Sequence, residues 1–272
     1  MKIAVVYNGT SKPSAVCLAK TFSEVFDTDV QSIFYNSRRI RDKNITHFIN
    51  VGNSNKFLIV GKPNIINDPS AIAKSANKRL ARIRFKVKGV PAPALWLEPE
   101  EIPVAEYPVV GRKTFHMKGR GFWLCKSPRE ALNAKAKGAT HFMKFISNTR
   151  EFRLHTFSTN LHPTNVNDYV IGKFAEKLES ASTRDRTIKN HDHGFVFMAP
   201  KLLTITQKDK LENAAKKALL AFGLNYGGVD IMLSKDNNNP YVLEINSTPC
   251  LTDENSNTAE VYSKMLMDMI RD

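Results

Sequence analysis

The sequence predicts a mixed fold in which a small α/β lobe is followed by two α+β lobes. The apolar run Ile3–Tyr7, a small polar turn and a helical pattern from Pro13 to Phe26 follow one another in the order that opens an α/β unit. Near the other end of the chain, two apolar runs flank the polar residues Lys235–Asn239, which is typical of a β-hairpin. Short strands, loops and three helical patterns lie between, as in α+β units.

Composition is that of a globular protein, because 42% of the 272 residues are hydrophobic. We predict an N-terminal lobe at residues 1–66, a linking helix and connection at 67–105, a small lobe at 106–147 and a C-terminal lobe at 148–272.

No apolar run approaches the ~20 residues of a membrane span, and the start MKIAVVYNG is too soon interrupted for a signal peptide. The three cysteines, Cys17, Cys125 and Cys250, are far apart in sequence. This spacing favours reduced thiols over a disulfide scaffold or a zinc cluster. We therefore expect a cytoplasmic protein.

The net charge of +14 is distributed unevenly. Residues 225–272 contain three Lys or Arg and eight Asp or Glu, which leaves 37 basic and 18 acidic residues, or +19, in the first 224. Such a basic region suits an anionic partner, and ATP, a nucleic acid or an acidic peptide would each fit.

In the first lobe, His47–Val51 and Phe57–Val60 are predicted to complete a small sheet. Asn67-Asp68-Pro69 then starts a helix, because a capping side chain precedes a proline at the first helical position. This helix carries six basic residues between Lys78 and Lys88 and no acid. It forms either a solvated face or a basic rim beside an anionic substrate.

The small lobe is predicted as strand, loop, strand, helix, strand, with strands at Tyr107–Arg112, Phe122–Cys125 and Thr140–Ile146. The loop between the first two strands carries basic residues and glycines, namely Lys113, Lys118, Gly119, Arg120 and Gly121. A loop of this kind either lies exposed or folds over phosphate oxygens with its amides and cations.

In the C-terminal lobe, the strand Glu151–Thr156 places Arg153 and His155 on its polar face. That face either lines a cleft or forms salt bridges along the sheet. A second strand, Asp168–Leu178, bears Lys173 and Lys177.

The segment Ser180–His193 is polar and is predicted to be a loop. Its histidines, His191 and His193, are expected to be exposed, because no further ligands are nearby. Amphipathic patterns predict helices at Gln207–Phe222, ending at Gly223, and at Thr258–Ile270.

The hairpin residues can be paired by number. If its loop is centred on Asn237, the residue numbers of two antiparallel partners add up to 474. The predicted pairs are Leu233 with Tyr241, Met232 with Val242, Ile231 with Leu243, Asp230 with Glu244 and Val229 with Ile245.

This pairing places two carboxylates, Asp230 and Glu244, opposite each other with Asn246 two residues on. They repel one another, and neither has a neighbouring Lys or Arg on the two hairpin strands. A positive ion between them would offset the repulsion, and hard oxygen ligands suit Mg²⁺ or Mn²⁺. The alternative is a solvated hairpin face with ordinary surface acids.

Four segments resemble ATP-grasp enzymes, and they are most similar to the RimK-like carboxylate-amine ligases. GGVDIML with YVLEINSTP resembles the family's metal hairpin, and EFRLHTF resembles the strand that lines its substrate cleft. PVVGRKTFHMKGRGF resembles the nucleotide strand with its glycine-rich lid, and NDPSAIAKSANKRLARIRFKVKGVPAP resembles the lead-in helix. The resemblance runs from about Asn67 to the C-terminus and also includes short ATP-grasp proteins of phage genomes.

The resemblance implies an ATP-grasp fold in which two lobes enclose ATP. Asp230, Glu244 and Asn246 would hold two Mg²⁺ ions at its phosphates, and Asn246 would also serve catalysis. Arg112 stands where the family usually has a phosphate-binding Lys. The lid would be His116–Gly121, including Lys118, Gly119, Arg120 and Gly121.

The remaining implied positions are the adenine hinge and the acceptor side. Met143–Ile146 would be the hinge, with Lys144, Phe145 and Ile146 beside the nucleotide, although Lys144 stands where an acid often holds the ribose. Arg153 would contact the substrate carboxylate or the acyl phosphate, Lys173 would lie near the phosphates, and Asn190 near the metals. Cys250 replaces a common Gly and is expected to be packed or idle rather than reactive.

The implied reaction uses ATP to convert a carboxylate into an acyl phosphate, which an amine attacks. An acidic peptide or another polyanion is the acceptor that the charge favours. Two alternatives are a nucleic-acid-binding protein that keeps the fold without ligase chemistry and a kinase-like phosphotransferase that uses the same ATP site.

Overall fold

The computed structural model of the chain describes residues 1–114, 121–147, 149–180, 194–252 and 256–271. The helices are α1 Lys12–Phe26, α2 Pro69–Ala76, α3 Lys78–Val87, α4 Pro128–Ala136, α5 Ile205–Phe222 and α6 Thr258–Arg271. The strands are β1 Ile3–Tyr7, β2 Val30–Phe34, β3 His47–Val51, β4 Asn64–Ile66, β5 Leu95–Trp96, β6 Val109–Arg112, β7 Phe122–Cys125, β8 His141–Lys144, β9 Thr149–Ser158, β10 Tyr169–Glu179, β11 Phe195–Met198, β12 Tyr226–Ser234 and β13 Pro240–Asn246. Within these ranges, no helix has the length and apolar character needed to cross a membrane.

The first sheet contains four parallel strands in the order β2-β1-β3-β4. On one face, Leu18 and Phe22 of α1 pack with Leu266 of α6 against the strand residues Ile3 and Ile49. The C-terminal helix therefore completes the core of the N-terminal lobe.

The strand predicted at His47–Val51 is confirmed as β3, but the strand predicted at Phe57–Val60 is wrong. Those residues form a loop that covers the second face of the sheet, where the Phe57 ring lies 5.7 Å from the Phe48 ring. An apolar run that covers a sheet resembles one that joins it, because both bury alternate side chains.

The helix predicted after Pro69 is two helices, since the chain turns at Asn77. Asp68 caps α2 by accepting from the Ser70 amide at 2.8 Å, as its sequence predicts. The Asn77 side chain caps α3 by accepting from the Leu80 amide at 3.0 Å. The basic residues therefore begin a new helix, whose direction is set separately from that of α2.

The second sheet is antiparallel, in the order β5-β8-β6-β7. Its strands and α4 follow the predicted order of strand, loop, strand, helix and strand. Val109 and Phe142 pack against Ala131 and Ala134 of α4. β5 adds an edge strand from the connection that precedes the small lobe.

The third sheet has the order β11-β10-β9-β12-β13, and every pair is antiparallel. Leu211 and Leu219 of α5 pack on one face against Val229 and Ile231. Helix α5 ends at Gly223, whose φ of 68° is the left-handed C-cap expected there. The opposite face, here called the site face, carries Arg153, His155, Gly228, Asp230, Glu244 and Asn246.

Buried amides join the first lobe to the third sheet. Asn67 Oδ1 accepts from the backbone amides of Asn225 at 2.8 Å and Tyr226 at 3.2 Å, while Asn67 Nδ2 donates to the Tyr226 carbonyl at 3.0 Å. The Asn225 side chain accepts from the Asn67 amide at 2.9 Å, and the Tyr226 hydroxyl donates to the Asn50 carbonyl. All four residues are buried, so this reciprocal set fixes the start of β12 against the first lobe.

Asn67 has a φ of 63°, a left-handed conformation that asparagine tolerates better than alanine. We therefore expect Asn67→Ala to lower the free energy of unfolding by about 3 kcal/mol, because it leaves buried backbone groups unpaired and strains the backbone. Asn67→Gly should lose less, since glycine keeps the conformation. Urea unfolding measures both, with Asn213→Ala on the exposed face of α5 as the control. An Asn67→Ala value within 0.5 kcal/mol of this control, roughly the range of ordinary surface changes, would contradict the expectation.

Candidate functional site

Neighbouring strands align the charged residues of the site face in rows. Arg153 of β9 lies opposite Asp230 of β12, and Asp230 lies opposite Glu244 of β13. In the next row, Gly228 lies between His155 and Asn246. The predicted pairing of Asp230 with Glu244 is therefore confirmed, and Arg153 extends it to a third strand.

The predicted register holds only at the site end of the hairpin. Val229 faces Ile245 as predicted, but a bulge follows Asp230. The predicted partners of three residues are wrong by one position: Ile231 faces Val242, Met232 faces Tyr241 and Leu233 faces Pro240.

The bulge follows from what must be buried. Val242 and Ile245 both belong to the core beneath α5, although they are three positions apart and a regular strand would place them on opposite faces. The bulge leaves Leu243 without a partner on β12, and this extra residue lets both Val242 and Ile245 point into the core. The outer edge of the strand is also engaged, since the Val242 amide donates to the Pro91 carbonyl at 2.8 Å and Arg82 donates to the Val242 carbonyl at 2.7 Å.

Side-chain cations offset the repulsion between the two carboxylates. Arg153 donates from Nε and Nη2 to the two oxygens of Asp230 at 2.7 and 2.8 Å. Lys78, the first residue of α3, places Nζ 2.6 Å from Glu244 Oε2. Because the two hairpin strands carry no Lys or Arg beside these carboxylates, the sequence by itself predicts a bound ion that offsets the repulsion. The premise of that prediction is corrected, because β9 and α3 supply the positive charge.

Two further guanidinium groups add to this positive field. Burial lowers the pKa of Arg82 to about 10, and the charge of Glu244 opposes that effect. Burial also lowers the pKa of Arg112, again against the effect of Glu244, and its guanidinium lies 5.4 Å from the centre of the Phe122 ring. Four cations thus surround two carboxylates among the described residues, an excess that suits a polyanion.

Glu244 is held ionised at this position. Burial alone would raise its pKa, but Lys78, followed by Arg153 and Arg82, holds the pKa well below its usual range. The carboxylate is therefore available as an anionic ligand at any pH near neutrality.

The donor set fits a hard divalent cation. Asp230 and Glu244 offer carboxylate oxygens, and Asn246 lies close enough for its Nδ2 to be 3.4 Å from both. Its amide group would turn to present the oxygen instead. Among the described residues there is no group of three or more His, Cys, Asp or Glu that could hold a metal. Mg²⁺ needs fewer, because phosphates and waters complete its octahedron.

The polar face of strand β9 forms salt bridges, which is one of the two alternatives predicted for it. Arg153 lies in the row of carboxylates, and Glu151 forms an ion pair with Lys177 at 3.1 Å. Gly228 makes room for Arg153, since a Cβ there would lie 3.3 Å from the arginine Cδ. That this face also lines a cleft stays a prediction.

The other predicted site residues lie around this centre or outside the described residues. Lys144 donates to the Glu106 carbonyl at 2.8 Å and lies 3.2 Å from its carboxylate, and the Phe145 amide donates to the Pro108 carbonyl. Phe145 and Ile146 follow the end of β8 and are partly buried. Lys118, Gly119, Arg120, Asn190, His191 and His193 lie outside the described residues, so their predicted roles stay predictions.

Two more predicted residues contact neighbouring segments. Lys173 places Nζ 2.7 Å from Ser256 Oγ and 2.7 Å from Thr258 Oγ1, at the start of α6. Gly121 accepts a hydrogen bond from the Lys113 amide at 3.3 Å, which closes the base of the loop between β6 and β7. Cys250 is exposed, and its thiol lies 3.5 Å from the Thr252 hydroxyl.

Lys78 and Arg82 were not among the predicted site residues. The sequence feature that could have identified them is the run of six basic residues between Lys78 and Lys88. That run was interpreted either as a solvated face or as a basic rim. Lys78 and Arg82 contact the hairpin, whereas Arg79 and Lys86 are exposed, so only part of the basic run forms a solvated face.

His155 is a buried neutral group beside these charges. Its Nδ1 lies 2.9 Å from the Tyr262 hydroxyl of α6, and it is paired in register with Lys173. Burial, together with Arg153 and Lys173, lowers the pKa of His155 to about 3, and the charge of Asp230 acts in the opposite direction. The imidazole therefore stays uncharged where the unfolded chain would protonate it.

The architecture is that of the ATP-grasp fold. A crystal structure of D-alanine–D-alanine ligase from Bacillus anthracis matches with a TM-score of 0.66 and 15% identity, covering 100% of this chain and 96% of that chain. The same ligase complexed with ATP gives a TM-score of 0.64 at 16% identity, over the same shares of the two chains. Carboxyaminoimidazole ribonucleotide synthase from Aspergillus clavatus, complexed with ATP, gives 0.60 at 15% identity, covering 90% and 69%.

Sequence comparisons are more limited. The model of the tubulin-tyrosine ligase family matches residues 186–272, which is less than half of the chain. No curated protein matches the sequence significantly.

We expect His155 to make stability depend on pH. The unfolded chain binds a proton near pH 6.5 but the folded chain only near pH 3, so stability is retained above pH 6.5 and falls between these values. Between pH 7.5 and 5.5, wild type should lose about 1.4 kcal/mol more than His155→Gln. Denaturant unfolding at both pH values measures this loss of unfolding free energy. His162→Gln, at an exposed histidine, should lose as much as wild type. Equal losses in wild type and His155→Gln would contradict it.

Proposed function

We propose that this chain is an ATP- and Mg²⁺-dependent carboxylate-amine ligase. One observation carries the proposal: on the site face of an ATP-grasp fold, two carboxylates and an amide lie among four cations. Carboxylates with an amide are a magnesium donor set, and the excess positive charge suits the triphosphate. A purely structural ion-pair network has no need of that excess.

The proposed reaction has two steps. An oxygen of the substrate carboxylate attacks the γ-phosphorus of ATP, so that ADP leaves and an acyl phosphate forms. The amine then attacks the acyl carbon, phosphate leaves, and the amine nitrogen loses a proton as the amide forms. Mg²⁺ held by Asp230, Glu244 and Asn246, or Mn²⁺ in its place, would supply charge neutralisation at the phosphates.

The side chains divide this work by position. Arg153 of β9 and Arg112 of β6 both interact electrostatically with Glu244, and we propose that Arg153 stabilises the acyl phosphate and Arg112 the triphosphate. We assign the adenine hinge to Lys144, Phe145 and Ile146. Lys118, Gly119, Arg120 and Gly121 form the proposed lid. Lys173 and Asn190 are proposed to support the phosphate and metal end.

For the acceptor we propose an acidic peptide or another polyanion, in a RimK-like reaction in the cytoplasm. The charge of +19 over the first 224 residues supports a polyanionic partner. The match to a family named for tubulin-tyrosine ligase supports a protein as one substrate. Free thiols at Cys17, Cys125 and Cys250 are consistent with a reducing compartment.

Nucleotide binding is tested by thermal shift with ATP in EDTA and with ATP in excess Mg²⁺. Wild type should be stabilised further by Mg²⁺, and saturation at 100 times Kd corresponds to about 2.7 kcal/mol. Glu244→Gln should lose the Mg²⁺-dependent part, because a carboxylate ligand is gone. Glu260→Gln, an exposed acid on α6, is the matched control. The same Mg²⁺-dependent gain in wild type and Glu244→Gln would refute the site assignment.

Product analysis separates the ligase from its alternatives. With poly-L-glutamate as the polyanion and a mixture of amino acids, ADP should accumulate only when both are present, and mass spectrometry should show an added residue. ADP formed with one substrate alone, together with a phosphorylated product, would favour the kinase-like use of the site. Tight DNA or RNA binding that weakens steeply with salt, without any affinity for ATP, would favour a nucleic-acid-binding protein.

A further inference from the structure

The carboxylate oxygens of the donor set are already engaged by the chain itself. Lys78 Nζ lies 2.6 Å from Glu244 Oε2, and Arg153 bonds both oxygens of Asp230. The remaining oxygen, Glu244 Oε1, lies 3.4 Å from Asn246 Nδ2. Each of these oxygens keeps a second lone pair for a divalent cation, but the positive charge of the donors that hold them opposes the ion.

These donors differ in how firmly they are held. Arg153 makes two parallel bonds to Asp230, and its guanidinium lies 4.4 Å from the centre of the Phe197 ring. Arg82 is buried and donates to the Val242 carbonyl at 2.7 Å. Both guanidinium groups are therefore fixed to the sheet, by a bidentate pair in one case and by a backbone carbonyl in the other.

Lys78 is held by one contact only. Its single ion pair with Glu244 is the one polar side-chain contact of Lys78 in the described residues, and the side chain is 18% exposed. It is the first residue of α3, where a change of rotamer leaves the helix intact. An ammonium group on a flexible stem exchanges partners more readily than a guanidinium locked in a fork.

We propose that Lys78 is an exchangeable counter-ion of Glu244, which makes metal binding conditional on nucleotide. Without nucleotide, Lys78 occupies the carboxylate and disfavours a divalent cation. When the triphosphate enters, the ammonium group moves to a phosphate oxygen and frees Glu244 as a ligand. This inference rests on the proposed function and adds an order to it, in which the metal enters with the nucleotide or after it.

The same residue then has opposite effects on the two ligands. It opposes the metal when no nucleotide is present and attracts the nucleotide when no metal is present. Lys78→Met should therefore strengthen one affinity and weaken the other, a pattern that general damage to the site would not produce. Arg82, Arg112 and Arg153 leave Glu244 with cationic neighbours in this variant.

The first measurement is the affinity of the nucleotide-free chain for Mn²⁺. Binding is monitored by the electron paramagnetic resonance signal of the free ion. Lys78→Met should bind Mn²⁺ on the order of tenfold more tightly than wild type, the size of one lost charge-assisted competitor. The second is the affinity for ATP in EDTA by calorimetry, where Lys78→Met should bind on the order of tenfold more weakly. Lys86→Met, on the exposed side of the same helix, should match wild type in both.

Unchanged or weaker Mn²⁺ binding by Lys78→Met, with its melting temperature close to that of wild type, would overturn the proposal. If that variant does not fold, Lys78→Gln replaces it and Lys78→Arg, which keeps the charge, should retain the wild-type Mn²⁺ affinity. The proposed function fails separately, when wild type binds no ATP with or without Mg²⁺. The Mn²⁺ measurement uses no nucleotide and decides the role of Lys78 in either case.

Discussion

The two carboxylates that face each other on adjacent strands set the main constraint on the C-terminal lobe. Asp230 is buried, and Glu244 lies directly opposite it, so each needs positive charge at short range. The sheet supplies one cation in register, because β9 pairs with β12 and places Arg153 against Asp230. The linking helix supplies the other, because α3 begins with Lys78 at the edge of the hairpin.

Several local features serve this arrangement. Gly228 leaves space for the Arg153 side chain to lie along the strand. The bulge at Leu243 lets Val242 and Ile245 both enter the core while Glu244 remains on the site face. Arg82 and the Pro91 carbonyl then engage the edge of β13 at the same point. Strand β13 is thereby held by its core contacts, by pairing with β12 and by the hydrogen bonds along its outer edge.

The first lobe is tied to the same sheet at the other end of β12. Reciprocal hydrogen bonds between Asn67 and Asn225 join the residue after β4, the last strand of the parallel sheet, to the residue before β12. The helix α6 adds to this joint, since Tyr262 packs with Phe157 and Tyr226 and contacts His155. Helix α1 of the first lobe also bonds the segment after β13, where the Ser14 hydroxyl donates to the Pro249 carbonyl. The N-terminal lobe therefore contacts the third sheet at the start of β12 and again just after β13.

The sequence alone was enough for the elements whose signals are local. Alternation and turn residues predicted the hairpin and the Asp230–Glu244 pair. Helical periodicity predicted α1 and, with Gly223 as its cap, α5. Tertiary structure decided the rest. Arg153 is 77 residues from Asp230 and Lys78 is 166 residues from Glu244, so no periodic pattern connects either cation to its partner. The register beyond Asp230 and the loop at Phe57 likewise depended on which apolar residues a distant helix or strand could cover, a property of packing that local spacing does not contain.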